Sequence, residues 1–232
     1  MTNDDVLAAE TARLLATVDA MTADDLAAPS ALPDWTNGHV LAHIAGNAEG
    51  LGRRARSVGD GVPRAMYESP ETRGGDIEWR SRRSAAQHHQ AIAATHDDFL
   101  FDVAAIPDDR AGDEMEIRLT LRVKVADLPL LRLQEVSIHH ADLGMPGYDW
   151  SDWPPELVAW ALPRVTSSFA SRDTFPVGWV EADGARFVVG SDATTGVSGS
   201  ATEILAWLIG RAPGDGLEPV GMSSVPAPPA WL

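Results

Sequence analysis

The sequence predicts an α+β protein, a bundle of four long helices followed by a small α/β domain. Three observations carry the prediction. Apolar residues recur at helical spacing through most of the first 147 positions. A glycine and proline break, Gly144-Met-Pro-Gly147, then interrupts the pattern. Beyond it, a proline-opened helix gives way to a stretch that folds back at Asp183-Gly184.

The elements follow in chain order. Val6, Leu7, Leu14, Leu15 and Val18 form a stripe that places a helix over residues 3–22. Ala28 to Asp34, with Pro29 and Pro33, reads as a loop. Thr36 is the expected N-cap of a second helix. Its buried face carries Val40, Leu41, Ile44, Ala48 and Leu51, and it ends near Gly59-Asp-Gly61. After a loop holding Pro63 and Pro70, a long third helix is expected over residues 75–105, with Ile77, Ala85, Ile92 and Phe99 among its apolar positions. From Glu114 to Val125, Met115, Ile117, Leu119, Leu121 and Val123 alternate with Glu116, Arg118, Arg122 and Lys124. Period two predicts a strand or an extended excursion there.

The fourth helix spans residues 128–143 and is stopped by Gly144, Pro146 and Gly147. Pro154 and Pro155 open a helix with Leu157, Val158, Trp160 and Val165. Gly178 to Gly190 reads as a hairpin, Ala201 to Ile209 as a short apolar helix, and residues 213–232 as an extended tail. The expected domains are 1–147 and 153–232, with the boundary at 147–153 and no internal repeat.

Composition excludes several classes of function. The 232 residues carry a formal net charge of -16 and are 44% hydrophobic. Such acidity offers no general attraction to nucleic acid or to anionic lipid, and neither is an expected partner. No apolar run reaches the roughly 18 residues of a membrane helix. The acidic start, Met1-Thr-Asn-Asp-Asp5, lacks the basic-then-apolar pattern of a signal peptide, so a cytoplasmic location is expected. There is no cysteine, so any thiol used in catalysis must come from outside the chain. A small-molecule substrate and a monomeric state suit a bundle of this kind.

The chemistry concentrates in Leu133-Gln-Glu-Val-Ser-Ile-His-His-Ala-Asp-Leu143. Glu135 and His139 are one helical turn apart on one face, where a carboxylate and an imidazole can share a divalent metal. His43, flanked by Ala42, Ile44 and Ala45, should point into the bundle and supply a third ligand. Three protein ligands with open positions suit a catalytic metal site, and two imidazoles with a carboxylate suit zinc. Iron, nickel and manganese stay open. The bland alternative is a surface Glu–His pair. His39, in the first turn of its helix, is expected near solvent. His140 lies about 100° round the helix from His139, which leaves it beside the site or solvated. Asp142 either orients the His139 ring or is a polar helix-end residue. His88, His89 and His96 read as a solvated face.

Several of these residues sit in longer motifs. Leu32-Pro-Asp-Trp-Thr-Asn-Gly-His-Val-Leu-Ala-His-Ile-Ala-Gly-Asn-Ala-Glu-Gly-Leu51 resembles the second-helix motif of the mycothiol-dependent maleylpyruvate isomerase family. Arg132-Leu-Gln-Glu-Val-Ser-Ile-His-His-Ala-Asp-Leu-Gly144, Tyr148-Asp-Trp-Ser-Asp-Trp153 and Gly199-Ser-Ala-Thr-Glu-Ile-Leu-Ala-Trp-Leu-Ile-Gly-Arg211 are similar to later motifs of that family, in the same order. The resemblance implies a DinB-like four-helix metal-binding bundle and a small C-terminal domain similar to sterol carrier proteins. It implies metal ligands at His43, Glu135 and His139, and a functional arginine at Arg211. Taken alone, an arginine just after a helix reads as a complement to the helix dipole or as a surface residue.

The resemblance further implies mycothiol as the external thiol and a role in aromatic catabolism. The implied reaction converts maleylpyruvate to fumarylpyruvate. The thiolate adds to the cis double bond, the resulting single bond rotates, and elimination gives the trans isomer and returns the thiol. Two competing expectations use the same scaffold: a mycothiol S-transferase that releases the adduct, and a non-catalytic metal-binding protein.

Overall fold

The computed structural model describes residues 2–118, 121–172 and 175–231. Met1 and Leu119, used in the sequence reading, lie outside the described residues, as do the side chains of Arg118 and Leu121. The fold is α+β, and the chain divides into two compact units, Met1–Pro146 and Gly147–Leu232. Among the described residues no helix is long and apolar enough to cross a membrane.

The first unit opens with α1, Asn3–Ala20, started by a reciprocal cap between Thr2 and Asp5. A short α2, Ala23–Ala27, follows; the same kind of cap, Thr22 with Asp25, starts it. The long α3, Asn37–Asp60, begins after Thr36 and ends at Gly61, whose φ of 73° is the left-handed conformation of a helix C-terminus. The long third helix expected from the sequence is two helices. They are α4, Pro70–Arg80, and α5, Ala85–Ala104. Two local signals explain the difference. Ser69 caps α4 with Pro70 in its first turn, and Ser84 with Gln87 forms a capping box that starts α5 afresh. A tertiary contact holds the break in place: a Cβ on Gly38 of α3 would lie 2.3 Å from the carbonyl oxygen of Ser81.

The alternating segment is a hairpin, β1 (Glu114–Arg118) against β2 (Leu121–Lys124). A 3-10 turn then leads into α6, Leu128–Asp142. The four long helices α1, α3, α5 and α6 form the bundle. α1 packs beside α5 and α6, and α3 packs beside the same two. Leu7, Leu14, Leu41, Ile44, Leu51, Ile92, Phe99, Leu128 and Leu133 fill the centre, all fully buried. Each such side chain is worth about 1.5–3 kcal/mol of burial.

In the second unit α7, Pro155–Ala170, precedes a four-stranded sheet of order β4-β3-β5-β6. Its strands are β3 (Trp179–Ala182), β4 (Ala185–Val188), β5 (Gly196–Gly199) and β6 (Glu218–Val220). The expected hairpin is β3–β4, turning at Asp183 (φ 48°) and Gly184 (φ 82°). Two positive φ angles make a turn whose twist matches that of the strands. β5 runs parallel to β3, with α8 (Ala201–Leu208) following it, and β6 closes the edge antiparallel to β5. The sequence reading missed β5 and placed β6 within an extended tail. β5 is a glycine-flanked strand of four residues with no apolar alternation. Its Gly196 lies under the Trp179 indole, where a Cβ would come within 2.3 Å of the ring. The tail itself is pinned within its unit, because Trp207 Nε1 donates to the Pro226 carbonyl at 3.1 Å.

Candidate metal centre and adjoining cavity

His43 comes from α3, and Glu135 and His139 from the neighbouring α6. Helical spacing stacks the second pair one turn apart, and side-by-side packing of the two helices brings His43 across to them. Among the described residues these three form a group whose ligand atoms all lie within 4.8 Å of one another. His43 Nε2 is 3.1 Å from Glu135 Oε2, and His139 Nε2 is 3.7 Å from the same oxygen. The two imidazole rings meet nearly edge-on, with centroids 4.8 Å apart. A tetrahedral ion bound at about 2.0–2.1 Å separates its ligand atoms by about 3.3 Å. The two spacings to Glu135, 3.1 and 3.7 Å, lie near that value, and the donor chemistry suits such an ion.

Asp142 strengthens the fit. Its carboxylate is fully buried, and Oδ2 accepts from His139 Nδ1 at 2.8 Å. That bond keeps the proton on Nδ1 and turns the Nε2 lone pair toward Glu135, as in carboxylate–histidine–metal arrangements. The protein also holds Glu135 ionised. Burial alone would raise its carboxyl. The hydrogen bond from His43, with the neighbouring imidazoles and the Arg132 cation, outweighs burial and holds it below the ordinary carboxylate value. Burial in turn lowers the His43 imidazole and keeps it neutral, as a ligand must be.

One turn below the cluster, the fully buried Arg132 ties α6 to α3. It donates to the Ile44 carbonyl at 2.8 Å and to Asn47 Oδ1 at 2.9 Å. Burial lowers Arg132 to about 10, so it remains cationic at neutral pH. Trp35 stands edge-on to His43, with ring centroids 5.6 Å apart. The preceding Asp34 adopts φ 64° in the turn that presents it.

Beside His43 a shallow cleft opens between α3 and α4. Its lining includes Gly46, Glu49 and Arg53 of α3, Arg73 and Arg80 of α4, and Tyr67. Arg73 Nη2 donates to His43 Nδ1 at 3.1 Å, and its guanidinium sits 5.3 Å over the Tyr67 ring. The sequence reading did not find Trp35, Tyr67 or Arg73. An aromatic before an N-cap residue and an arginine in a first helical turn carry no local signature of a site.

The other histidines divide. His39 is part of the α3 cap, with Nδ1 accepting from the Thr36 N–H at 3.2 Å and Nε2 lying 3.0 Å from Glu78 Oε2. His140 is buried against α1, 2.8 Å from Thr17 Oγ1, and is not solvated. The solvated face expected for α5 is only partly present. His89 is half-exposed, 2.7 Å from Asp19 Oδ1, but His88 and His96 are buried in the bundle. Polar neighbours in sequence concealed that both lie on the apolar stripe with Ile92 and Phe99. Arg211 lies in the second unit just after α8, half-buried, with Nη1 donating to the Ile209 carbonyl at 2.7 Å.

Fold and cluster together define a class: an α+β chain whose first unit is a four-helix bundle with a two-histidine, one-glutamate group on neighbouring helices. Residues 7–144 match the family described as "Mycothiol maleylpyruvate isomerase N-terminal domain", and the chain belongs to that family. Two solved structures share the fold over nearly the full length. They are the mycothiol-dependent maleylpyruvate isomerase (TM-score 0.88) and a histidine-to-alanine mutant of it (TM-score 0.87). Each is 23% identical in sequence, with 99% of this chain and 95% of that chain covered. No curated protein matches the sequence.

Proposed function

We propose that the protein is a mycothiol-dependent, metal-dependent cis–trans isomerase that converts maleylpyruvate to fumarylpyruvate. The observation that carries this reading is the His43–Glu135–His139 group with its supporting Asp142, in a chain of this family. His43, Glu135 and His139 would hold a divalent cation, with zinc the proposed metal. When bound, such a cation supplies a local positive charge that favours thiolate over thiol near neutral pH. Glu135 contributes the one anionic ligand, and His139 is held in its ligating tautomer by Asp142. The two neutral imidazoles keep the site's net charge positive once a divalent ion is present, which suits an anionic nucleophile and a dianionic substrate.

Absence of cysteine from the chain agrees with an external thiol, for which mycothiol is the proposed identity. The reaction proposed is addition to the cis double bond, rotation about the single bond formed, and elimination. The thiol is returned, and no redox partner is needed. Arg211 is proposed to take part in turnover by binding a substrate carboxylate bidentately. The enzyme is proposed to act on small molecules, in the cytoplasm, as a monomer.

The deciding experiment gives metal-analysed protein maleylpyruvate with and without mycothiol and follows fumarylpyruvate. Thiol-dependent isomerisation that stops on chelation is the expected result. A stable thioether product with no fumarylpyruvate would replace the isomerase reading with that of an S-transferase. Arg211→Ala is expected to keep its metal and lose at least tenfold in turnover; wild-type turnover would make Arg211 a surface residue.

A further inference from the structure

The cleft beside His43 sets three arginines against two carboxylates, Glu49 and Asp76, and the metal reading leaves this cationic excess without a task. In a chain of net charge -16, three arginines around one cleft are a local exception. Two of them are occupied. Arg80 Nη1 donates to Glu49 Oε1 at 2.8 Å. Arg53 Nη1 donates to the Met66 carbonyl at 2.8 Å, and its Nη2 lies 3.8 Å from Glu49 Oε2. Arg73 differs: among the described residues no carboxylate pairs with it. Its partners are the neutral ring of His43 and Tyr67, through both the ring face and the hydroxyl. An imidazole nitrogen accepts one hydrogen bond, whereas a carboxylate accepts two in parallel, each strengthened by charge.

A second observation concerns the proton on His43. Nδ1 accepts from Arg73, so the ring proton is on Nε2, which donates to Glu135. Ligation of a cation through Nε2 requires the proton on Nδ1 instead. Nδ1–H and the guanidinium would then be two donors facing each other, and Arg73 must turn away. Arg73 already lines the cleft. At Gly46, on its floor, an added Cβ would have a single neighbour within 4 Å, Arg80 Nη1 at 3.9 Å.

We propose that Arg73 is the carboxylate-docking residue of this cleft, released from His43 into it when His43 ligates a cation. The ligand class is a small organic carboxylate, held next to the metal centre from within the first unit. The inference rests on the metal-site reading above, and its test separates the two.

Maleate is the probe, titrated calorimetrically into zinc-loaded and zinc-free protein, with zinc affinity measured by chelator competition. Arg73→Gln should weaken maleate binding at least tenfold. It should also tighten zinc binding, because the bond that opposes the ligating tautomer is gone. Arg73→Lys should recover part of the maleate affinity, and Gly46→Leu, which fills the floor, should lose it. Arg82→Gln, exposed in the turn that follows α4, should match the wild type. Maleate binding by Arg73→Gln and Gly46→Leu at wild-type strength would overturn the proposal, as would zinc affinity lowered by Arg73→Gln. If the wild type takes up no stoichiometric zinc, the metal reading fails. If zinc binds stoichiometrically but maleate binds no more tightly than to the zinc-free protein, the metal reading stands and the docking proposal fails.

Discussion

At the scale of single residues, the candidate centre is a case of charge held in place by neighbours. Glu135 stays ionised because two imidazoles and the buried Arg132 face it, and His139 keeps its tautomer because Asp142 is buried behind it. Replacing His43, Glu135 or His139 by Ala should each abolish stoichiometric zinc. Asp142→Asn should leave the three ligands and weaken zinc about 10–100-fold, the usual effect of losing such a supporting carboxylate. Elemental analysis after dialysis reads both; zinc retained by all three alanine variants would remove the site. The buried His88 and His96 give a separate expectation. Burial lowers both to about 4, from an ordinary value of 6.5. The unfolded chain therefore binds their protons first as pH falls. Their contribution is complete above about pH 6.5 and is lost progressively toward pH 4, on the order of 3 kcal/mol for each histidine. Urea midpoints should fall over that window, and less steeply in His96→Leu; equal slopes would show that His96 takes up its proton without penalty in the folded protein.

At the scale of elements, caps and close approaches set the boundaries. Thr36 and Gly61 bracket α3 and were legible in the sequence, because both act through local hydrogen bonds and φ angles. The break between α4 and α5 was signalled by Ser84-x-x-Gln87, but apolar periodicity runs across it and concealed it. Gly38 makes the break a tertiary feature, since its backbone lies against that of Ser81. Gly38→Ala is expected to destabilise by about 1–3 kcal/mol, as overpacking against a fixed neighbour does. Gly74→Ala, on α4 with nothing within 4 Å of the added carbon, should instead stabilise by about 0.5–1 kcal/mol. Chemical denaturation of the two variants should shift in opposite directions; a neutral Gly38→Ala would mean the α4–α5 connection is free to move.

At the scale of the whole molecule, a cation bound between α3 and α6 would cross-link two helices of the bundle. A ligand that binds only the folded state stabilises it by mass action, about 2.7 kcal/mol at one hundred times its Kd. For a chain of this size that corresponds to a rise of about 5–10 °C in melting temperature. Zinc should produce such a rise, chelator should reverse it, and Glu135→Ala should show neither. A melting temperature indifferent to zinc in the wild type would argue against a site between these helices.

The sequence by itself determined α1, α3, α6, α7 and α8, the hairpin at Asp183-Gly184 and the pairing of Glu135 with His139, because periodicity, caps and turn residues act over a few neighbours. It also pointed His43 inward, from the apolar residues around it. Only the tertiary structure decided the rest. It brought His43 to within 3.1 Å of Glu135 across two packed helices. It buried His88 and His96, which local composition marks as polar. It set Arg73, on a helix that the sequence had merged with its neighbour, against the back of His43. Contacts between residues far apart in the chain depend on which helix faces pack together, and short-range patterns carry no record of that choice.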